Sequence, residues 1–363
     1  MADMTVEMLG MRFRNPVLPA AGPTVWNGEA LCRCAEGGAG ALVSKTISDV
    51  AAEVPHPNMA EVAGGFLNTE LWSEFPPEQW FDREFAIARE AGLPLIVSMG
   101  YTAAQIAKIA PRVKPFADAI ELSTHYLGDD PRPMMEAIDA AKSATGLPVF
   151  TKLSPTRDMR EAALAAKEGG ADGIAAINSF GPTLAIDVET GQPWMGSAEG
   201  YGWMSGTALK PLAVRCVYDV ARAVDLPILG VGGIARGVDV IEMVMAGAWA
   251  VQVCTAAILR GPGVYGKIAG EVEAWLDAHG YSSLTEIRGM AITRMKERTV
   301  RTGAVPPTLD VDLCTGCRLC EISCVYDAIK VVDKKAVLDA EKCWGCGLCV
   351  TRCKPRALSM RYA

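Results

Sequence analysis

The chain has 363 residues, half of them hydrophobic, 36 glycines and a formal net charge of −7, which fits an enzyme-sized α/β protein with one large core and room for an appendage. The charge is unevenly shared: residues 1–305 carry 26 Lys+Arg against 35 Asp+Glu, and residues 306–363 carry 9 against 7. No basic stripe interleaved with aromatics occurs, which argues against a nucleic-acid partner, and the Arg294, Lys296, Arg298, Arg301 run reads as a solvated face.

Residues 5–14, with Leu9-Gly10 at their middle, predict a hairpin. Short β-branched or apolar runs bounded by Gly and Pro then alternate with Ala-rich helical stretches, the pattern of a parallel sheet with crossover helices. The eight runs are 16–22, 41–46, 94–100, 119–124, 148–154, 173–179, 227–234 and 250–256, with helices expected at 103–109, 134–143, 159–168, 209–223 and 238–246. Eight β/α units make an α/β fold of the (β/α)8 TIM-barrel type the economical answer, with a doubly wound sheet as the alternative. Residues 240–259 are nearly all apolar and approach a membrane span in length. Glu242, Gly247 and Gln252 interrupt them, and a helix followed by a buried strand reads the same way, so no membrane contact is expected. The predicted domains are a barrel with its N-terminal hairpin (1–293), a linker (294–305) and a cysteine-rich unit (306–363).

Eight of the twelve cysteines fall in two copies of C-x2-C-x2-C-x3-C: Cys314, Cys317, Cys320, Cys324, then Cys343, Cys346, Cys349, Cys353. In such a run the fourth cysteine ligates the other cluster. This assigns Cys314, Cys317, Cys320 and Cys353 to one [4Fe–4S] cluster and Cys343, Cys346, Cys349 and Cys324 to a second, in a ferredoxin-like domain. Structural zinc also uses C-x2-C pairs, but two triplets with interleaved fourth cysteines, Gly316 and Gly345 inside the loops and Pro355 after Cys353 fit iron–sulfur better. Val325 stands where the ferredoxin pattern has proline, which bears on loop rigidity and not on ligation. Such thiolates persist where thiols stay reduced, and no charged leader with an apolar segment precedes the fold, so the expected location is the cytoplasm. Cys32, Cys34, Cys216 and Cys254 lie in Ala- and Val-rich surroundings that predict buried, inert thiols.

In a barrel of this type chemistry sits at the C-terminal strand ends. There the sequence places Ala20-Ala21-Gly22, Lys45-Thr46, Ser98 to Tyr101, Glu121 to His125, Lys152, Asn178-Ser179, Gly230 to Gly233 and Cys254-Thr255. Two lysines at one mouth beside consecutive glycines suit a phosphorylated cofactor whose head acquires negative charge, and flavin mononucleotide (FMN) meets that description. Gly232 and Gly233 would let backbone N–H groups approach its phosphate, and a lysine at the N1/O2 edge would stabilise the anionic reduced ring. Gly230-x-Gly232-Gly233 lies inside a barrel strand and lacks the dinucleotide-binding context, so no second nucleotide domain is expected.

The chain resembles the class 1 dihydroorotate dehydrogenases and, more closely, the flavin and C-terminal iron–sulfur portion of the dihydropyrimidine dehydrogenases. The carriers are Ser44-Lys45-Thr46, Gly65 to Glu70, Glu121-Leu122-Ser123, Phe150 to Pro155, Gly169 to Gly173, Ser205 to Pro211, Gly230 to Ile234 and Gln252 to Ala256. The resemblance implies that Lys45 and Thr46 line the flavin and that Lys152 meets N1/O2. Ser205, Gly206 and the strand-seven and strand-eight loops, with Cys254 and Thr255, would hold the ribityl and phosphate, and Asn68, Glu70, Asn178 and Ser179 would face the substrate. It further implies a homo-oligomer and a mobile lid over residues 187–204.

One departure stands out. The relatives carry asparagine, then Leu-Ser-Cys-Pro, at the end of strand four, where the cysteine moves a proton to or from the substrate carbon. Here Glu121 takes the asparagine position and Thr124 the cysteine position, with His125 following. A threonine hydroxyl is too weak an acid to act unaided, which makes His125 an alternative proton carrier beside Ser123 and Lys152. Glu121 is expected to bind a donor-rich substrate edge, or to be the acid if burial raises its pKa. The expected activity is an FMN and iron–sulfur oxidoreductase acting on an activated C=C bond in a cyclic amide or conjugated carbonyl compound, served by ferredoxin or an NAD(P)H-linked flavoprotein. The alternatives are an electron-transfer subunit and a non-redox FMN isomerase.

Overall fold

The computed structural model describes residues 1–123 and 130–360. It divides into two compact units, Met1–Thr293 and Arg294–Ala363. The division falls inside the helix Met290–Lys296, so residues 294–296 of the predicted linker are helical.

In the first unit, all eight predicted runs form parallel strands: Val17–Pro19, Leu42–Val43, Leu95–Met99, Ala119–Leu122, Val149–Leu153, Gly173–Ala176, Ile228–Val231 and Ala250–Val253, numbered one to eight below. Strands two to eight neighbour one another in chain order and strand eight pairs with strand one. The Gly40 N–H donates to the Val17 carbonyl at 2.7 Å, carrying the hydrogen bonding on between strands one and two. The result is a nearly closed (β/α)8 barrel, whose strands are buried along their length and mostly apolar because both faces are covered. The predicted helices appear at Ala103–Val113, Arg132–Thr145, Met159–Glu168, Lys210–Ala223 and Gly237–Ala246. Their starts follow local chemistry. Thr102 and Gln105 make a reciprocal capping box, and Asp158 accepts from the Arg160 and Glu161 N–H groups, arrangements typically worth about 1 kcal/mol each. The apolar 240–259 stretch is the end of one helix, strand eight and a further short helix, Thr255–Arg260. Among the described residues no helix is long and apolar enough to cross a membrane. The N-terminal hairpin pairs Val6–Met8 with Met11–Phe13 and sends Val6, Met8, Met11 and Phe13 into the barrel core.

Sequence periodicity did not reveal a four-stranded antiparallel sheet, in the order Phe180–Thr183, Gly202–Ser205, Gly65–Asn68, Met59–Val62. It is built from the loops after strands two and six. Gly202–Ser205 falls at the end of the predicted lid, yet it is hydrogen-bonded on both sides, with Trp203 opposite Asn68 and Met204 opposite Phe180.

The second unit pairs Thr308–Leu309 with Leu358–Ser359 and Ile329–Val332 with Lys335–Leu338. Two short helices, Leu319–Ile322 and Leu348–Arg352, complete it around a small core of Cys320, Ile329, Ala336 and Leu358.

Candidate functional site

A cavity of about 520 Å³ opens at the C-terminal ends of the strands, with the four-stranded sheet contributing Glu61, Val62, Gly65, Phe66, Asn68, Trp203 and Ser205 to its wall. Ala20, Ala21 and Gly22 line it from strand one, and a Cβ on Gly22 would lie 2.9 Å from the Cys254 sulfur, so a side chain there would displace that thiol. Lys45 and Thr46 follow strand two. The Thr46 and Ser98 hydroxyls are 2.9 Å apart, and the buried Lys45 ammonium donates to Glu70. The other oxygen of Glu70 accepts from the Asn58 amide at 2.5 Å, and the Asn68 amide donates to the Trp203 carbonyl at 3.1 Å.

Lys152 reaches the wall from strand five. Its Nζ lies 3.3 Å from Glu121 Oε1 and 3.3 Å from Gln252 Oε1, while the Gln252 amide donates to Glu121 Oε2. Glu121 itself is fully buried and does not belong to the wall. Side chains on a strand share a face every second residue, so Glu121 stands one layer beneath Ser123, which does line the cavity. The expected contact of Glu121 with a substrate edge is therefore replaced by a contact with Lys152 and Gln252. Thr124 and His125 lie outside the described residues.

Asn178 and Ser179 border the cavity after strand six, with the Ser179 N–H donating to Asn178 Oδ1 at 2.9 Å. After strand seven, Gly232 and Gly233 have φ of +121° and +73°, and a Cβ on Gly233 would lie 2.6 Å from the Lys210 backbone nitrogen; only glycine satisfies both demands. The hydroxyls of Ser205 and Thr255 meet at 2.8 Å. Burial pushes the cavity-lining Cys254 thiol up to about 11, despite the opposing pull of Lys152 and Lys45. Arg260, Tyr101 and Trp72 are among the wall residues for which the sequence suggested no role. Arg260 donates to the Ala235 carbonyl at 3.0 Å beside the strand-seven loop, and Tyr101 and Trp72 meet edge to face with centroids 5.0 Å apart. A basic residue ending the helix after strand eight was the available signal for Arg260. Trp72 sits in a loop with no periodic pattern to expose it. The donor set, with glycine-rich strand ends on one side, an ammonium on another and hydroxyls between, fits flavin mononucleotide in size and chemistry.

In the second unit Cys314, Cys317, Cys320 and Cys353 surround one small pocket. Burial, with Cys346, Cys343, Cys320 and Cys324 nearby, raises the Cys349 thiol. The loop glycines are constrained: Gly316 has φ +69° and a Cβ there would lie 2.4 Å from the Lys334 carbonyl oxygen. Backbone N–H groups of Ala328 and Ala336 point at the sulfurs of Cys324 and Cys314, each at 3.3 Å. The first triplet gathered with Cys353 around one pocket, with N–H donors on the sulfurs of Cys314 and Cys324, suits iron–sulfur ligation.

Together these features define a barrel oxidoreductase of the flavoprotein type carrying an iron–sulfur domain. The family described as dihydroorotate dehydrogenase matches residues 3–276, and that described as a 4Fe-4S dicluster domain matches residues 291–357. The chain is similar to the catalytic subunit of dihydroorotate dehydrogenase B (NAD(+)) from Methanothermobacter thermautotrophicus, 39% identical over 301 residues, 79% of this chain and 98% of that one. The like-named subunits of Methanosarcina mazei and Pyrococcus horikoshii are 39% and 35% identical, over 78% and 80% of this chain and 94% and 98% of theirs. The chain belongs to the dihydroorotate dehydrogenase family, FMN-using oxidoreductases acting on CH–CH bonds.

Proposed function

We propose that the protein binds FMN in the barrel mouth and two [4Fe–4S] clusters in its C-terminal unit, and that it reduces or forms an activated C=C bond in a neutral cyclic amide or related conjugated carbonyl compound, in the manner of a dihydropyrimidine dehydrogenase. The observation that carries the neutral substrate is the pairing of the lysines. Lys45 is held by Glu70 and Lys152 by Glu121. Among the described residues the one other cation of the wall, Arg260, stands by the strand-seven loop where a phosphate would bind. A carboxylate-bearing substrate such as dihydroorotate would meet the Glu70 carboxylate where it needs a free ammonium, and an uncompensated buried charge is costly.

Bound there, FMN would supply hydride transfer and the exchange between paired and single electrons. The chain's own groups do the rest. Gly232, Gly233, Ser205, Gly206, Thr255 and Arg260 hold the ribityl and phosphate, and Ala20, Ala21, Gly22 and Thr46 shape the ring's bed. Lys152 places positive charge where the reduced ring gathers negative charge. Asn68, Asn178 and Ser179 orient the substrate, and Thr124 or His125, directly after Ser123, handles the proton at the substrate carbon. The cysteine unit would pass electrons between the flavin and a ferredoxin or an NAD(P)H-linked flavoprotein, inward when the C=C bond is reduced and outward when it is formed, in a compartment that keeps thiols reduced.

The test is anaerobic stopped-flow of protein photoreduced at its flavin, mixed separately with uracil, thymine, orotate and a panel of conjugated cyclic amides and enones. Rapid reoxidation by uracil, thymine or another neutral acceptor, and slow reoxidation by orotate, is expected. Orotate as the fastest oxidant would overturn the neutral-substrate reading.

A further inference from the structure

Glu121 and Lys152 form an ion pair withdrawn from water, with side chains 0% and 4% exposed. Lys152 and Gln252 reach the cavity; Glu121 lies beneath, and Gln252 ties the other two by accepting from Lys152 and donating to Glu121. The three side chains satisfy one another in a closed triad. A lysine needing only a hydrogen-bond acceptor in this place would be served by a neutral amide. A full carboxylate does something more, because in a poorly polarisable interior a unit charge 3.3 Å away cancels much of the field that the ammonium sends into the cavity.

We propose that Glu121 is a positioning residue that lowers the reduction potential of the flavin by neutralising Lys152 from below. This rests on the reading that FMN lies with its N1/O2 edge at Lys152. Positive charge at that edge favours the anionic reduced ring, so cancelling it makes the reduced cofactor a stronger donor. The substrate class that requires such a donor is a C=C bond with weak electron withdrawal, such as an amide-conjugated alkene lacking a second activating group.

The experiment is potentiometric titration of the purified, cofactor-loaded protein, followed at the flavin absorption bands, for wild type, Glu121→Gln, Lys152→Met and the double variant. Glu121→Gln should raise the two-electron reduction equilibrium constant at least about tenfold, or about 30 mV. Lys152→Met should lower it, and Glu121→Gln should raise it in the Lys152→Met background as well, because the field of the carboxylate adds to that of the ammonium and does not depend on it. A Glu121→Gln potential equal to wild type, with Lys152→Met still lowered, overturns the role of Glu121 and leaves the FMN reading standing. Protein that purifies without FMN, or a Lys152→Met potential that does not move, overturns the FMN placement and this inference with it. If Glu121→Gln fails to fold, Glu121→Asp, which keeps the charge but retracts it, should raise the potential by less than tenfold. An unchanged potential there overturns the proposal equally.

Discussion

At the scale of single residues, the wall of the cavity is governed by which charges are already spoken for. Lys45 is 3% exposed and bound to Glu70, which Asn58 holds from its other side. Replacing Glu70 by Gln keeps the shape but removes the compensating charge, and should destabilise the protein by about 1–3 kcal/mol. It should also shift the ratio of orotate to uracil affinity toward orotate by about tenfold, or about 1.4 kcal/mol. Ligand titrations of the oxidised protein give this ratio directly, and an unmoved ratio would mean that Lys45 does not face the ligand. Cys254 illustrates the opposite case. It borders the cavity, yet burial keeps its thiol protonated at neutral pH, so it acts there as a small apolar group and not as a nucleophile.

At the scale of elements, the loop after strand seven is held by one carboxylate. Asp239 accepts from the N–H groups of Ala235 and Arg236 at 3.0 and 2.9 Å and from Lys210 at 2.8 Å. Burial opposes its ionisation, but Lys210 and the Ala235 N–H outweigh burial and hold its pKa below the ordinary 3.8. A depressed folded-state pKa gives stability that is fully present above the unfolded value and lost as the pH falls through the folded one. Asp239→Asn should therefore cost about 1–2 kcal/mol near neutrality, and the gap from wild type should close as the pH drops below 3.8. Urea unfolding across that range, read by tryptophan fluorescence, checks both parts. Elements of this kind were the legible part of the sequence. The eight strands announce themselves as apolar runs fenced by Gly and Pro, and Met159–Glu168 matches its expected bounds at both ends. The antiparallel sheet was hidden because its strands are four residues each, three of them include glycine or proline, and its central pairing joins Gly65–Asn68 to Gly202–Ser205 from loops far apart in sequence. Position at the barrel mouth was legible where strand ends set it, as at Lys45, Lys152 and Gly233, which line the cavity. It was misleading at Glu121, because a strand's alternation tells which face a side chain takes but not how deep in the barrel it sits.

At the scale of the whole molecule, the relatives are almost entirely covered by about four fifths of this chain, so the remaining fifth has no aligned counterpart in them. Proteins named as catalytic subunits thus find here a parallel in a chain that carries its own cysteine unit. If Cys353 completes the first triplet's cluster across the module, Cys353→Ser should halve the iron content from about eight atoms per chain to about four. Metal analysis with electron paramagnetic resonance of the reduced protein would show whether the surviving signal belongs to the second triplet. Loss of all iron, or none, would reject the interleaved assignment. The barrel unit also carries a consequence in its roof. Gly202–Ser205 stitches a segment that follows strand two to one that follows strand six, so Asn68, Trp203 and Ser205 ride on a single plate. If Ser205 holds the ribityl chain and Asn68 the substrate, as proposed above, a displacement of that plate would loosen both at once, so that substrate exchange and cofactor retention would be coupled.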